Sequence, residues 1–385
     1  MGKVLIFHNI ISPYKVLLFN ELNKYTGNRL HVVFFAETAD DRAWTIDYDS
    51  IEFDYTVLNH GALNDIGNIK LLKQVCSFLW NYSERICVLL AGEYIRPAYW
   101  CVLLWGLAHG QTRGAILESQ RDDHKRIWIK EVIKRGFFFM CNFVVAAGQK
   151  HKDYAVSLGM PANNIAVIGG VGGVNHSLYD KCIIQWENNG RLKSYLADLC
   201  KIPVEKKFFI YVGRFSPEKN LLRLLEAFAK VNEITHEWGL LMLGNGVQEQ
   251  ILKDKIQEKC IQNVYFPGFV QQENLPYYYL LSDVFVLPSL SEPWGLVVDE
   301  AIYLGKPVIV SEKCGCVPDI VKVGVNGWVI DPLSVDSLYE AMLEAVLDDA
   351  RLERYAKASR AIGEQHSPQN SAHIIGDMMS SKGFC

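Results

Sequence analysis

Arg214, Lys219, Glu292 and Glu300 combine residue types and spacings that suit a diphosphate joined to a sugar. In "FFIYVGRFSPEKNLLRLLEAF" an apolar strand ends at Val212, Gly213 opens a turn, and Arg214 and Lys219 flank a Ser-Pro helix start. Both cations then stand at the carboxyl end of a strand. There a guanidinium fork and a compact ammonium make a suitable pair for phosphate. Taken alone, R-x4-K reads better as two surface cations pairing with carboxylates such as Glu218.

They are not alone. "SDVFVLPSLSEPWGLVVDEA" is a second strand, loop and helix. Pro293 suits a helix entry and not its interior, so the helix begins near Trp294 or Gly295. The amides of Gly295, Leu296 and Val297 are then open to a phosphate at the helix N-terminus. Glu292 precedes the helix, placed to accept hydroxyl hydrogen bonds from a sugar. Glu300 follows up to about 12 Å further on at 1.5 Å per residue, the span from that sugar to a ribose diol. A lone helical acid usually faces solvent, but "GLVVDEAIYLG" is nearly all apolar around Glu300.

The elements that must hold these residues alternate along the whole chain, as in parallel α/β proteins. Strands are expected at "KVLIFH", "LHVVFF", "ICVLL", "GAILES" and "FVVAAG", then at "KFFIYVG", "GLLML", "NVYF", "VFVLP", "KPVIV" and "GWVI". Polar, mixed sequence between the two series reads as a linker over 181–206. The expected layout is an N-terminal Rossmann-like domain at 1–180, a C-terminal one at 207–364, and a helical segment at 365–385 returning to the first. Two doubly wound domains facing a cleft would bind ligand at the carboxyl ends of their strands.

A chain of 385 residues with 50% hydrophobic and 21% charged residues fits two soluble globular domains. The net charge of −4 offers no footprint for nucleic acid. Ten cysteines without a framework read as reduced and mostly buried. His8, Asn9, Ser12 and Pro13 interrupt the apolar N-terminus before a signal-peptide core forms. No stretch reaches the length of a spanning helix, and "YWCVLLWGLA" reads as a buried core helix. A cytoplasmic location follows, with peripheral contact at the inner face of the cytoplasmic membrane left open. Neither "VIGGVGGVNH" nor "MLGNGVQEQ" completes G-x-G-x-x-G, which disfavours a dinucleotide. Cys314-Gly-Cys316 reads as a turn, not half a metal site. The D-x-D at Asp47 and Asp49 follows polar sequence and not a buried strand, so no metal site is expected.

"GRFSPEKN", "GNG", "PGFV", "LPSLSEPWGLVVDEA" and "GKPVIVSEKCGCVPDIV" together resemble the retaining glycosyltransferases of family 4, which have the GT-B fold. The resemblance covers the C-terminal half in order and spacing. It implies that Arg214 and Lys219 hold the donor diphosphate, Glu292 the donor sugar and Glu300 the ribose. Val270 would lie against the base, and Leu296 would offer its amide to phosphate. "NIISPYKVLLFNEL" is similar to the first loop and helix of bacterial polysaccharide members, which implies an acceptor side at Pro13 and Tyr14. Ile10-Ile11-Ser12-Pro13 stands where the family often has Gly-Gly. Glu118 and Ser119 are carried as cleft residues, Glu118 as a catalytic candidate; a strand end capped by polar groups explains them equally well. No cofactor is expected beyond a nucleotide-diphosphate sugar co-substrate, a UDP-sugar first among them. The acceptor would be a glycan or lipid-linked saccharide.

Two alternatives share the phosphate clamp: a sugar-nucleotide epimerase or phosphorylase, and a non-catalytic nucleotide-sugar-binding protein. A separate expectation concerns "HKRIWIKEVIKRGFFFM". Arg126, Lys130 and Lys134 recur every four residues as a basic ridge beside Trp128, Ile129, Val132 and Ile133, which suits an anionic membrane surface. An ordinary sheet-packing helix is the competing reading.

Overall fold

The computed structural model describes residues 2–39, 46–92, 94–123 and 127–384. Contacts divide the chain into two units, Met1–Gly173 with Pro368–Cys385, and Val174–Ser367.

In the first unit the strands are β1 (Lys3–Ile10), β2 (Leu30–Ala36), β3 (Asp54–Val57), β4 (Ile86–Ala91), β5 (Thr112–Leu117), β6 (Phe143–Ala146) and β7 (Ile165–Val167). They form one parallel sheet of order β3-β2-β1-β4-β5-β6-β7. Helices α1 (Pro13–Tyr25), α2 (Asn68–Asn81), α3 (Pro97–Ala108), α4 (Trp128–Phe139) and α5 (Gln149–Ser157) connect them. Both sheet faces are covered, which is why the strands read as unbroken apolar runs. Along β1 the period of two is strict. Leu5 and Phe7 enter the core built with α2, α3, α4 and α5. Val4 and Ile6 enter the opposite core, with Val16, Phe19 and Leu22 of α1 and with Ala372, Ile375 and Met379 from the C-terminal segment. Ser12 caps α1 by accepting the Lys15 N–H at 3.4 Å, and Pro13 occupies its first turn.

The second unit opens with α6 (His176–Asn188) and α7 (Leu192–Cys200). Its strands are β8 (Lys207–Val212), β9 (Trp238–Leu243), β10 (Val264–Gly268), β11 (Val284–Leu287), β12 (Val308–Ser311) and β13 (Gly327–Ile330). They form a parallel sheet of order β10-β9-β8-β11-β12-β13. Around it lie α8 (Leu221–Ile234), α9 (Glu249–Glu258), α10 (Leu275–Leu281), α11 (Leu296–Tyr303), α12 (Val335–Leu347) and α13 (Asp349–Gln365). The last helix, α14 (Pro368–Ser381), belongs to the first unit and packs on α1 and β7.

All eleven strands expected from the sequence are present; the short β3 and β7 were not expected. Most of 181–206 is helical and belongs to the second unit. Each of α6 and α7 buries only two residues, Tyr179 with Cys182 and Leu196 with Ala197, so their sequence looks like a polar connector. Asp180 of α6 accepts from Tyr303 (2.8 Å) and Arg360 (3.1 Å), tying it to α11 and α13.

The basic ridge does not form. Arg126 lies outside the described residues, and Lys134 is buried, its ammonium bonded to Glu131 and Tyr154 at 2.8 Å each. α4 does turn Trp128, Ile129, Val132 and Ile133, the expected apolar part, outward, together with Phe139. α3 is only half a core helix, since Leu104 and Leu107 are exposed. Three of the nine described cysteines are buried, fewer than expected, and all nine are free. Among the described residues no helix is long and apolar enough to cross a membrane.

Candidate functional site

In the second sheet the strand order reverses between β8 and β11, and an open parallel sheet receives ligand outside the carboxyl ends of the strands at such a point. Arg214 and Lys219 follow β8; Glu292 and Gly295 follow β11. The fold thus brings together four residues that the sequence holds up to 81 positions apart (295 − 214).

Lys219 and Glu292 form an ion pair whose side chains are only 13% and 14% exposed. Arg214 approaches Glu218 at 3.6 Å, as the bland reading of the sequence suggested. That contact is exposed and long, so it is weak. Burial pushes the Glu218 carboxyl up. A hydrogen bond from the Ser216 hydroxyl (2.6 Å), with the charges of Arg214 and Lys219, outweighs it and holds the group below the usual carboxylate value.

Glycine is required at two places. Gly244 has φ +128°, and an added Cβ would stand 2.0 Å from the Gly213 carbonyl oxygen, so the ends of β8 and β9 approach at bare-backbone distance. Gly295, at φ +103°, turns the chain into α11, and a Cβ there would crowd Leu287 and the Glu292 side chain. The first amides of α11, from Leu296 and Val297, have no partner within an α-helix and stand at its positive end. The Cys314-Gly-Cys316 segment is a turn that clasps this loop. Gly315 N–H donates to the Glu292 carbonyl (2.9 Å) and Cys316 N–H to the Trp294 carbonyl (3.0 Å). Among the described residues no group of His, Cys, Asp or Glu side chains could hold a metal ion, and Asp47 spends a carboxylate oxygen on the Asp49 N–H.

Glu300 has no exposed surface. The Tyr279 hydroxyl stands 3.0 Å from Glu300 Oε2 and 3.2 Å from the Val297 carbonyl oxygen. Its neighbour Asp299 accepts the Trp294 indole N–H at 2.6 Å. Burial, against that bond and with the Glu300 charge beside it, drives the Asp299 carboxyl well above the usual range. Val270 follows β10 and is half-buried.

The first unit gathers a second set of groups at the same end of its own sheet. Glu118 follows β5 and pairs with Lys15, which α1 carries almost wholly buried. Burial pushes the Glu118 carboxyl up, but Lys15 and His8 outweigh it and the net effect is downward. His8, on β1, is lowered to about 4 by burial and then by the Lys15 charge. His151 of α5 stands 3.1 Å from the Glu118 carbonyl oxygen. Pro13, Tyr14 and Ser119 are all half-buried nearby in sequence, two on α1 and one after Glu118. Sequence reading missed Lys15, His8, His151 and Tyr279. A lysine inside the apolar run "PYKVLLF" was the available signal for the first.

Residues 200–362 match the family described as Glycosyl transferases group 1. An uncharacterized glycosyltransferase of Methanocaldococcus jannaschii is 28% identical over 254 residues, 65% of this chain and 62% of that protein. The O-antigen chain mannosyltransferase B of Escherichia coli is 30% identical over 166 residues, 42% of this chain and 43% of that protein. The lipopolysaccharide 1,2-N-acetylglucosaminetransferase of Salmonella typhimurium is 26% identical over 182 residues, 45% and 48% of the two chains. The match thus spans less than two thirds of each relative. The crystal structure of Anabaena HepE with UDP bound superposes with a TM-score of 0.76 at 18% identity, over 99% of this chain and 100% of that one. A sucrose-phosphate synthase from Thermosynechococcus elongatus gives 0.74 at 17%, over 99% of each. The fold is that of GT-B proteins, two Rossmann-like units with parallel sheets.

Proposed function

From the match of residues 200–362 to the family described as Glycosyl transferases group 1, we propose that this chain moves a sugar from a nucleotide-diphosphate donor to an acceptor hydroxyl with retention of anomeric configuration. One observation carries the reading: two cations, a carboxylate and a glycine-opened helix N-terminus converge where the strand order of the second sheet reverses. Arg214, Lys219 and the amides of Leu296 and Val297 take the charge that grows on the leaving diphosphate, without a metal. Glu292 holds the donor sugar, Glu300 the ribose, and Val270 borders the base. As the glycosidic bond to phosphate breaks, the acceptor oxygen bonds to the anomeric carbon from the same face and its proton passes to a phosphate oxygen. Pro13, Tyr14, Ser119 and Glu118 belong to the acceptor side.

The donor is proposed to be a UDP-sugar and the product a surface polysaccharide or lipid-linked glycan. The UDP bound by HepE and the O-antigen and lipopolysaccharide relatives support this. A panel of UDP-, GDP- and dTDP-sugars tests it by thermal stabilisation, since ligand at about 100 times its dissociation constant adds roughly 2.7 kcal/mol. NMR of the product then reports the anomer. Turnover without any acceptor would favour an epimerase, and stabilisation without turnover a binding protein.

Contact with an anionic membrane belongs to the same proposal, on the expected apolar residues of α4 extended by its neighbours, without Lys134. Helices α2, α3 and α4 pack on one side of the first sheet. They leave Trp80, Leu104, Leu107, Trp128, Val132 and Phe139 exposed. α2 has no acid beside Lys70 and Lys73, α3 has no charge, and the one acid of α4, Glu131, is tied to Lys134. Exposed apolar side chains on helices that also carry Lys70, Lys73 and Lys130 suit an anionic bilayer. Flotation with anionic but not neutral vesicles, lost in Trp128→Asp/Phe139→Asp, is the expected result; no flotation at low salt overturns it.

A further inference from the structure

We infer that Cys76 and Cys101 form a reversible disulfide that staples α2 to α3, a modification site separate from the sugar-transfer groups. The two helices lie side by side on the sheet, and their sulfurs stand 3.2 Å apart across the contact, 25 positions apart in sequence. A disulfide bond is about 2.05 Å long, so each sulfur has only about 0.6 Å to travel, within reach of a small side-chain rotation. The pair is also accessible. Cys76 is exposed and Cys101 half-buried, whereas Cys182, Cys314 and Cys316 are sealed in cores.

The two thiols differ in the way an exchange reaction uses. Burial, then the hydrogen bond with Cys76, pushes the Cys101 thiol up to about 12, so Cys101 does not react first. Cys76 loses its proton to water, and its thiolate attacks one sulfur of a small disulfide such as oxidised glutathione. That forms a mixed disulfide and expels one small thiolate. Cys101, giving up its own proton at the moment of attack, then bonds to Cys76 Sγ and expels the second. The protein loses two electrons and two protons, and the small disulfide becomes two thiols.

The staple sits beside a functional element. Tyr99, two residues before Cys101, donates its hydroxyl to Asn9 Oδ1 at 2.8 Å, and Asn9 is the last residue but one of β1, the strand that leads to Pro13 and Tyr14. Fixing α3 on α2 therefore stiffens the support of that loop.

The test equilibrates the full chain in buffers of graded reduced-to-oxidised glutathione, quenches by alkylation, and maps peptides by mass spectrometry. The expected result is a two-electron transition with a Cys76–Cys101 cross-link, reversed by dithiothreitol. The midpoint of thermal unfolding should rise by several degrees in the oxidised form, because the link restrains a loop of about 25 residues in the unfolded chain. Cys101→Ser should trap Cys76 as a glutathione adduct, and Cys76→Ser should leave Cys101 reduced over the same range. The inference is overturned if wild-type Cys76 carries glutathione without cross-linking, or if either sulfur pairs elsewhere. It is also overturned if both stay reduced throughout. None of these readouts depends on sugar transfer, so this inference and the proposed activity fail separately.

Discussion

Lys219 and Glu292 have opposite duties in the two states of the site, and a double-mutant cycle separates them. In the structure each neutralises the other with under 15% of its side chain exposed. Removing one partner of a fully buried pair costs about 3–5 kcal/mol, and an exposed pair contributes about 0–1 kcal/mol. At this intermediate exposure Lys219→Met should destabilise the ligand-free chain by about 2 kcal/mol, mostly by removing the positive charge that faces the Glu292 carboxylate. Adding Glu292→Gln removes the opposing negative charge as well, so the double variant should recover about 1–2 kcal/mol of that loss. Nucleotide binding should behave differently. Lys219 is proposed to bond the diphosphate, and losing a charged hydrogen bond weakens binding by about tenfold to a hundredfold. The double variant should therefore be stable yet still bind UDP poorly. Glu292→Gln alone should bind UDP at least as well as wild type, because Lys219 no longer has to leave a carboxylate, while its turnover falls. Urea denaturation of the four proteins and calorimetry with UDP give both sets of numbers. A double variant that binds UDP like wild type, or single variants whose stability losses simply add, would refute this account.

Three further outcomes follow from the same structure. Glu300→Gln should weaken UDP binding by about tenfold to a hundredfold by calorimetry, and Tyr279→Phe, which removes only the hydroxyl beside Glu300 Oε2, should change it less. Truncation after Gln365 removes Ala372, Ile375, Met379 and Phe384 from the core shared with α1, a loss of several kcal/mol; the shortened chain should be insoluble or melt far lower, and an active, stable truncation would contradict it. His8 is held neutral in the fold at about 4 and has an ordinary value near 6.5, so the unfolded chain takes up the proton first as pH falls. Its contribution is intact above pH 6.5 and declines towards pH 4 by at most about 3 kcal/mol. His8→Gln should flatten that part of the stability profile in pH-dependent urea melts.

The strand-loop-helix grammar of this protein is written locally. Eleven apolar runs, the turn after Val212, and the Pro293–Gly295 entry into α11 each carry their signal within a dozen residues. The sequence by itself therefore determined two α/β halves and singled out Arg214, Lys219, Glu292 and Gly295, which the fold places after β8 and β11. It did so because loops after parallel strands are where such sheets bind ligands. β3 escaped because none of its four residues is buried, and β7 because three residues hold too little pattern. α6 and α7 escaped because two buried residues in a helix leave almost no apolar stripe. What only the tertiary structure decided is the partner of each charge. Lys15 meets Glu118 across 103 positions, Lys219 meets Glu292 across 73, and Lys134 turns inward because Tyr154 of another helix waits there. An ammonium carries the same charge on a surface ridge or inside a core. Which of the two it occupies depends on groups that only the folded chain brings within hydrogen-bonding distance, and no local period records them.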